Sequence, residues 1–244
     1  MGRYIRANVP LARKIISSWP TYDKMIPIRV IPCSVDMDLF DPDKIETTQK
    51  VRLKNELGIN EKDIVISYLG SIGSWYLTDD LMRFFKMIGD QIESAKFLFI
   101  SHHSREKIMT EAKKFGVEEE KIILCSATRK EVPALLSLSK YSVFFIKPCY
   151  SKQSSSPTKH GEIMAMGIPV ITNSGVGDVA DIVKKYRSGI TLSELNQKEF
   201  NAAITIMNSD QPFKKDCIRK GALEFYNLEN ALLAYKEIYS DILK

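Results

Sequence analysis

From residue 64 onward the chain alternates between short runs rich in β-branched and aromatic residues and longer segments whose apolar positions recur at helical spacing. Residues 64–69, 96–100, 122–125, 142–146 and 169–172, with a weaker 189–192, read as strands. Between them, Leu77, Leu81, Phe84, Phe85 and Ile88, and later Ile108, Ala112 and Phe115, fall at the three- and four-residue steps that align side chains on one helix face. Strand, helix, strand in repetition predicts an α/β domain, because parallel neighbours require a crossover connection. The expectation is a doubly wound parallel sheet of about six strands with helices on both faces. After Leu192 the pattern becomes wholly helical, with helices near 195–208, 212–226 and 228–243.

Residues 1–63 differ. They are punctuated by proline, basic at the start, and carry a charged stretch from Asp41 to Lys62. The chain therefore divides into residues 1–63, a sheet-forming 64–194 and a helical 195–244. Two cap signals support the element order. Thr128 followed by Glu131 has the spacing of a capping box just after a strand, and Ser156 before Pro157 places an N-cap hydroxyl ahead of a proline at the first helical position. Gly167 and Pro169 then end that helix.

Composition narrows the class. The 244 residues are 44% hydrophobic and 27% charged, the proportions of an ordinary globular protein. No apolar run approaches the roughly 18 to 20 residues of a membrane span, and Arg3, Arg6, Arg13 and Lys14 open the chain without the apolar region of a secretory signal. A cytoplasmic protein is expected. Cys33, Cys125, Cys149 and Cys217 show no CxxC pair and no histidine at ligand spacing, so neither zinc nor a disulfide framework is suggested. The net charge of +5 is spread along the chain, which argues against a nucleic-acid stripe. It suits a small anionic ligand, or peripheral association with the acidic inner face of a membrane.

In an open parallel sheet the ligand crevice lies beyond the carboxyl ends of the strands. The first such loop, residues 70–76, begins Gly70-Ser71-Ile72-Gly73, a turn small enough for a ligand to approach the backbone. Its glycine spacing is not the dinucleotide fingerprint, the second strand ends in Ser101-His102-His103 without an acidic residue, and no P-loop is present. His102 and His103 stand near the crevice, as do Trp75 and Tyr76, without a spacing that assigns them a role. The richest segment is residues 154–171. There the amides of Thr158 and Lys159 sit in the first helical turn, Lys159 adds a cation, and Glu162 offers two acceptor oxygens one turn on. That arrangement suits a phosphate and a vicinal diol. A plain capped helix with a solvated glutamate would read the same.

Residues 156–171 resemble the donor-site motif of glycosyltransferase family 4 and related GT-B enzymes. Val30-Ile31-Pro32-Cys33-Ser34-Val35-Asp36, with Phe40, is similar to the family's linker, and Ser67-Tyr68-Leu69-Gly70 to its first donor-domain strand and loop. The resemblance implies half of a GT-B fold: the Rossmann-like C-terminal domain of a two-domain hexosyltransferase of polysaccharide biosynthesis, binding a nucleoside diphosphate sugar without metal or other cofactor and transferring with retention. It assigns the ribose to Glu162, the diphosphate and sugar to Ser156, Thr158 and Lys159, the phosphates to Gly70, Ser71 and Gly73, and the base to Arg129. Ser154 stands where the family carries a sugar-contacting glutamate, and the family's cations after the first strand are missing, so Lys159 is expected to replace them. The partner would be an N-terminal acceptor-binding domain for which 1–63 is too short, leaving the chain alone inactive. An epimerase of the same architecture and a non-catalytic nucleotide-sugar-binding module are the alternatives.

Overall fold

The computed structural model describes residues 4–209 and 213–243. A small unit comes first: β1 (Ile5–Ala7), α1 (Pro10–Ser17) and β2 (Ile28–Val30), then α2 (Thr47–Glu56). The main sheet follows as β3 (Ile64–Leu69), α3 (Thr78–Gln91), β4 (Ala95–Ile100), α4 (Arg105–Lys114), β5 (Ile122–Cys125), α5 (Val132–Leu136), β6 (Tyr141–Phe144), α6 (Thr158–Ala165), β7 (Val170–Asn173), α7 (Val179–Tyr186) and β8 (Gly189–Leu192). Helices α8 (Gln197–Met207), α9 (Lys215–Phe225) and α10 (Leu228–Ile242) close the chain.

The six strands run in the order β5-β4-β3-β6-β7-β8, and every neighbouring pair is parallel. Chain order reverses between β3 and β6, so the crevice of a doubly wound sheet must open there. Side chains alternate across the sheet as the pleat requires. Val65, Leu98, Phe144 and Val170 face one layer with α5, α6, α7 and α9, while Ile66, Phe97, Phe99, Val143, Phe145 and Ile171 face the other with α3, α4 and α8. The second layer is aromatic, with Phe85 stacked on Phe97 at 4.3 Å between ring centroids and Phe84 tilted on Phe200 at 4.9 Å.

The predicted elements are present with shifted ends. The second strand starts at Ala95, the fourth spans Tyr141–Phe144 and the fifth Val170–Asn173. The helix expected over 212–226 is Lys215–Phe225, and its expected first residue, Pro212, lies outside the described residues. Strands β1 and β2, which pair in parallel, were not signalled, since three residues each are too few to show an alternation.

Both cap expectations need correction. Helix α6 begins at Thr158 with Pro157, not Ser156, in the cap position, and no side chain caps it. The Ser156 hydroxyl instead accepts the Cys33 N–H at 3.2 Å, captured by the linker from 123 residues away. At the 128–131 turn the Glu131 carboxylate accepts both the N–H and the hydroxyl of Thr128 at 2.7 Å, but the helix starts only at Val132, so half of the reciprocal box forms. The end of α6 is as expected: Gly167, at φ 69°, donates to Met164 and Ile168 donates to Ile163.

Two contacts lock α6 to the linker and the C-terminal helices. His160 is fully buried and its Nδ1 meets the Tyr226 hydroxyl at 2.9 Å. Burial pulls its pKa down to about 3, so the ring is a neutral packing group. Beside it, a Cβ on Gly161 would stand 2.7 Å from Tyr226 and 2.8 Å from Val35. Gly161→Ala is therefore expected to destabilise the fold by about 1–3 kcal/mol through overpacking, read as a lowered thermal midpoint. An unchanged midpoint would mean that the linker gives way without cost.

Helix α10 divides its apolar residues between a packed face and an exposed one. Ala231 and Ile238, with Ala234, Tyr235 and Ile242, pack on Ile31 and Tyr4 of the N-terminal unit, while Leu228, Leu232 and Tyr239 stay exposed. Among the described residues no helix is long and apolar enough to cross a membrane.

Candidate functional site

The loop after β3 turns sharply enough to fold over the sheet's end. Gly70 and Gly73 adopt φ 115° and 81°, and Ser74 is left-handed at 58°. The chain then bridges back to the segment after β6, with Leu77 N–H donating to the Phe145 carbonyl and Lys147 N–H to that of Trp75. Asn173, buried at the end of β7, holds that segment from the other side through Ile146 N–H and C=O, each at 2.8 Å. Trp75 and Tyr76 are thereby fixed at the mouth of the crevice.

Lys159 reaches into this frame from the first turn of α6. Its ammonium lies 3.8 Å from the centroid of the Tyr76 ring and 5.3 Å from that of Tyr68, and it abuts Gly70, where a Cβ would stand 2.7 Å from Nζ. The Nζ is buried with no hydrogen-bond partner. Burial depresses its pKa to about 7, against a smaller opposing pull from the Glu162 carboxylate. An ammonium enclosed by aromatic rings and a glycine without a hydrogen-bond partner is costly, because burial strips it of water.

Glu162 lies one turn along α6 and is 7% exposed. Its Oε1 accepts Arg129 Nη1 at 2.6 Å. The Arg129 guanidinium also lies over the buried ring of Phe40, 5.2 Å from its centroid. Arg129 comes from the turn after β5, and Phe40 from the linker, so three distant segments meet at one guanidinium. A carboxylate has about four acceptor sites, so Arg129 takes one and leaves Oε2 and a second lone pair of Oε1.

A cavity of about 340 Å³ opens beside the cage, lined by Trp75, Tyr76, Lys152 and residues 154–156 among others. The Lys152 ammonium sits 4.6 Å from the Trp75 ring centroid. A second cavity of about 560 Å³, between the N-terminal unit and α10, is lined by Tyr4, Arg13, Tyr22 and Arg29 among others and lies outside the crevice.

The structure thus sets Lys159 against Gly70 and Arg129 against Glu162, one turn apart on α6, with Ser154 and Ser156 lining the adjoining cavity. Thr158 opens α6 at the crevice. Of the loop amides, Gly70 N–H donates to Ile100 and Gly73 N–H to the Thr78 hydroxyl, so neither is free for a phosphate. Ser71 is exposed on the same turn. The Ser154 hydroxyl donates to the Ser151 carbonyl at 2.9 Å, keeping its acceptor lone pairs. Arg129 is drawn onto Glu162 and Phe40 rather than standing apart for a base. His102 meets Ser126 at 3.1 Å on the surface. Sequence reasoning passed over Lys152 and Asn173, named Phe40 only as part of the linker, and gave Tyr76 no role; only the Asn at a strand's carboxyl end carried any local hint. Among the described residues no group of His, Cys, Asp and Glu converges in a metal-binding arrangement.

A family model described as glycosyl transferases group 1 matches residues 49–224. In structure, the chain is similar to a glycosyltransferase from Rickettsia africae ESF-5 (TM-score 0.78, 16% identity, covering 100% of this chain and 64% of that one). It is similar to Anabaena HepE solved with UDP-glucose (TM-score 0.75, 13% identity, 98% and 64%). It is similar also to the C-terminal domain of a group 1 glycosyl transferase, LpcC, from Francisella tularensis (TM-score 0.60, 17% identity, 80% and 100%). At these identities the likeness is one of fold, and the chain spans less than two thirds of the first two proteins. No curated protein matches the sequence.

Proposed function

The chain belongs to the group 1 glycosyl transferases and has the fold of the C-terminal half of a GT-B enzyme, and from that premise we propose that it binds a nucleoside diphosphate sugar in the crevice between β3 and β6 for hexosyl transfer. In this reading Lys159 neutralises the diphosphate, Glu162 accepts hydrogen bonds from the ribose hydroxyls, and the outer face of Arg129 borders the base. The first-turn amides of Thr158 and Lys159 add the positive end of the α6 dipole. The cavity beside Trp75 receives the sugar. Binding proceeds without a metal, since Lys159 and the helix start supply the positive charge.

We assign residues 1–63 to the tail of an acceptor-binding unit and the linker. A parallel strand pair of three residues each, joined through α1 and covered by α10, is the kind of fragment that belongs at the edge of a larger α/β sheet. Retention of configuration, and action at the inner face of a membrane on a polysaccharide precursor, complete the proposal. The neighbour solved with UDP-glucose makes uridine the first nucleotide to try.

The observation that carries this reading is the buried, unpartnered Lys159 ammonium against Gly70. Its test is the pH dependence of binding. With a pKa near 7 in the empty site, the lysine is charged below pH 7 and neutral above it, whereas a bound diphosphate raises that pKa. Above pH 7 the complex must take up a proton, so affinity for a nucleotide sugar falls by up to about tenfold per pH unit; below pH 7 it stays level. Calorimetry with UDP, GDP and ADP sugars between pH 6 and 8.5 reads this, because their doubly esterified diphosphates do not titrate there. Lys159→Met should flatten the profile and weaken the nucleoside diphosphate far more than the free nucleoside. Equal losses for both ligands, or a slope that survives the substitution, would remove Lys159 from the phosphate.

A further inference from the structure

Resting on the donor reading above, we propose that the cavity beside Trp75 is built for a donor sugar carrying a negative charge, a hexuronate, whose carboxylate pairs with Lys152. The cavity shares Tyr76 with the Lys159 cage, so it is the space that follows the diphosphate along a bound nucleotide sugar. Its volume of about 340 Å³ falls in the range of small-ligand pockets, about 300–1,000 Å³. One wall is the half-exposed Trp75 ring, an apolar face of the kind on which a sugar ring packs. Ser154, Ser155 and Ser156 also line it.

The charge of that lining is one-sided. No carboxylate lines the cavity, while Lys152 does, and Lys152 has no ion-pair partner among the described residues. Among the described residues its aromatic contact is with the exposed Trp75 ring, an interaction that leaves the charge without a counter-ion. The short helical turn at residues 150–154 that carries Lys152 also carries Ser154, so the ammonium and the hydroxyl are presented together. A neutral hexose would use the hydroxyls and leave the ammonium unanswered. A hexuronate answers it, and Ser154 adds no negative charge to oppose it. Lys159 meanwhile stays with the diphosphate, because its ammonium is enclosed by Tyr68, Tyr76 and Gly70.

The test is calorimetry on the 244-residue chain with UDP, UDP-glucose and UDP-glucuronate, and in parallel GDP, GDP-mannose and GDP-mannuronate. The uronate form should bind about tenfold more tightly than the neutral sugar of the same nucleotide. Lys152→Met should erase that preference while changing affinity for the bare diphosphate less than twofold, and Lys152→Arg should retain it. Equal affinity for the neutral and acidic sugars in the unaltered protein overturns the proposal and leaves the donor reading standing. A Lys152→Met loss shared by the bare diphosphate also overturns it, placing Lys152 on the phosphates. Failure of UDP and GDP themselves to bind would instead defeat the donor reading, and this inference with it.

Discussion

Replacing Glu162 by alanine is expected to weaken nucleoside diphosphate binding by roughly ten- to a hundredfold. The carboxylate is buried on α6 with Arg129 on one oxygen, and its remaining acceptor positions are those proposed for the ribose hydroxyls. Hydrogen bonds to a charged acceptor contribute about 1.5–3 kcal/mol, which corresponds to that range of affinity. The Arg129 guanidinium sharpens the expectation, because its 2.6 Å contact holds the carboxylate in one orientation before any ligand arrives. Glu162→Gln supplies the control: it preserves the shape and one acceptor, so its loss should be intermediate. The free nucleoside should suffer with the diphosphate, since both carry the ribose, which separates this residue from Lys159. A correctly folded Glu162→Ala protein with unchanged nucleotide affinity would refute the ribose assignment.

The architecture was legible because β3 to β8 and the helices between them repeat a pattern longer than its own noise. Strand β3 was read to the residue, bounded as it is by Asp63 and Gly70, whereas the ends of β6 and β7 moved by one or two positions where hydrogen-bond pairing and not side-chain pattern decides. The site was legible only as a set of residue types on one helix. What could not be read was who pairs with whom. Arg129 and Glu162 are 33 residues apart, and Ser156 was expected to cap its own helix but answers Cys33. Local spacing describes the helix a residue sits on and says nothing of the segment that arrives from elsewhere. The Lys159 cage is the clearest instance. Its cation was visible in the sequence, but the burial that depresses its pKa comes from Tyr68 and Tyr76, which the pattern alone marks as core and loop.

The 244-residue chain by itself is expected to bind the donor yet give no glycosyl transfer above background. Transfer requires the acceptor hydroxyl held against the anomeric carbon, and the gain from such positioning amounts to about 7–11 kcal/mol. The proposed donor site supplies one side of that arrangement, and what precedes the linker among the described residues is β1, α1 and β2, with α10 packed on them. That unit pairs two strands of three residues, and its own cavity, lined by Tyr4, Arg13, Tyr22 and Arg29 among others, lies outside the crevice, so it holds no second substrate against the anomeric carbon. At most, slow hydrolysis of the sugar phosphate by solvent should be seen. Supplying the rest of an acceptor-binding α/β domain, fused ahead of β1 or added in trans, should raise turnover by several orders of magnitude. The exposed Leu228, Leu232 and Tyr239 of α10 should then become protected from hydrogen exchange if that domain docks there. The decisive measurement is product formation from a labelled nucleotide sugar with and without the added domain. Sustained transfer by residues 1–244 alone would show that the unit around β1 and β2 already holds an acceptor, and that the division of labour proposed for this fold is wrong for this chain.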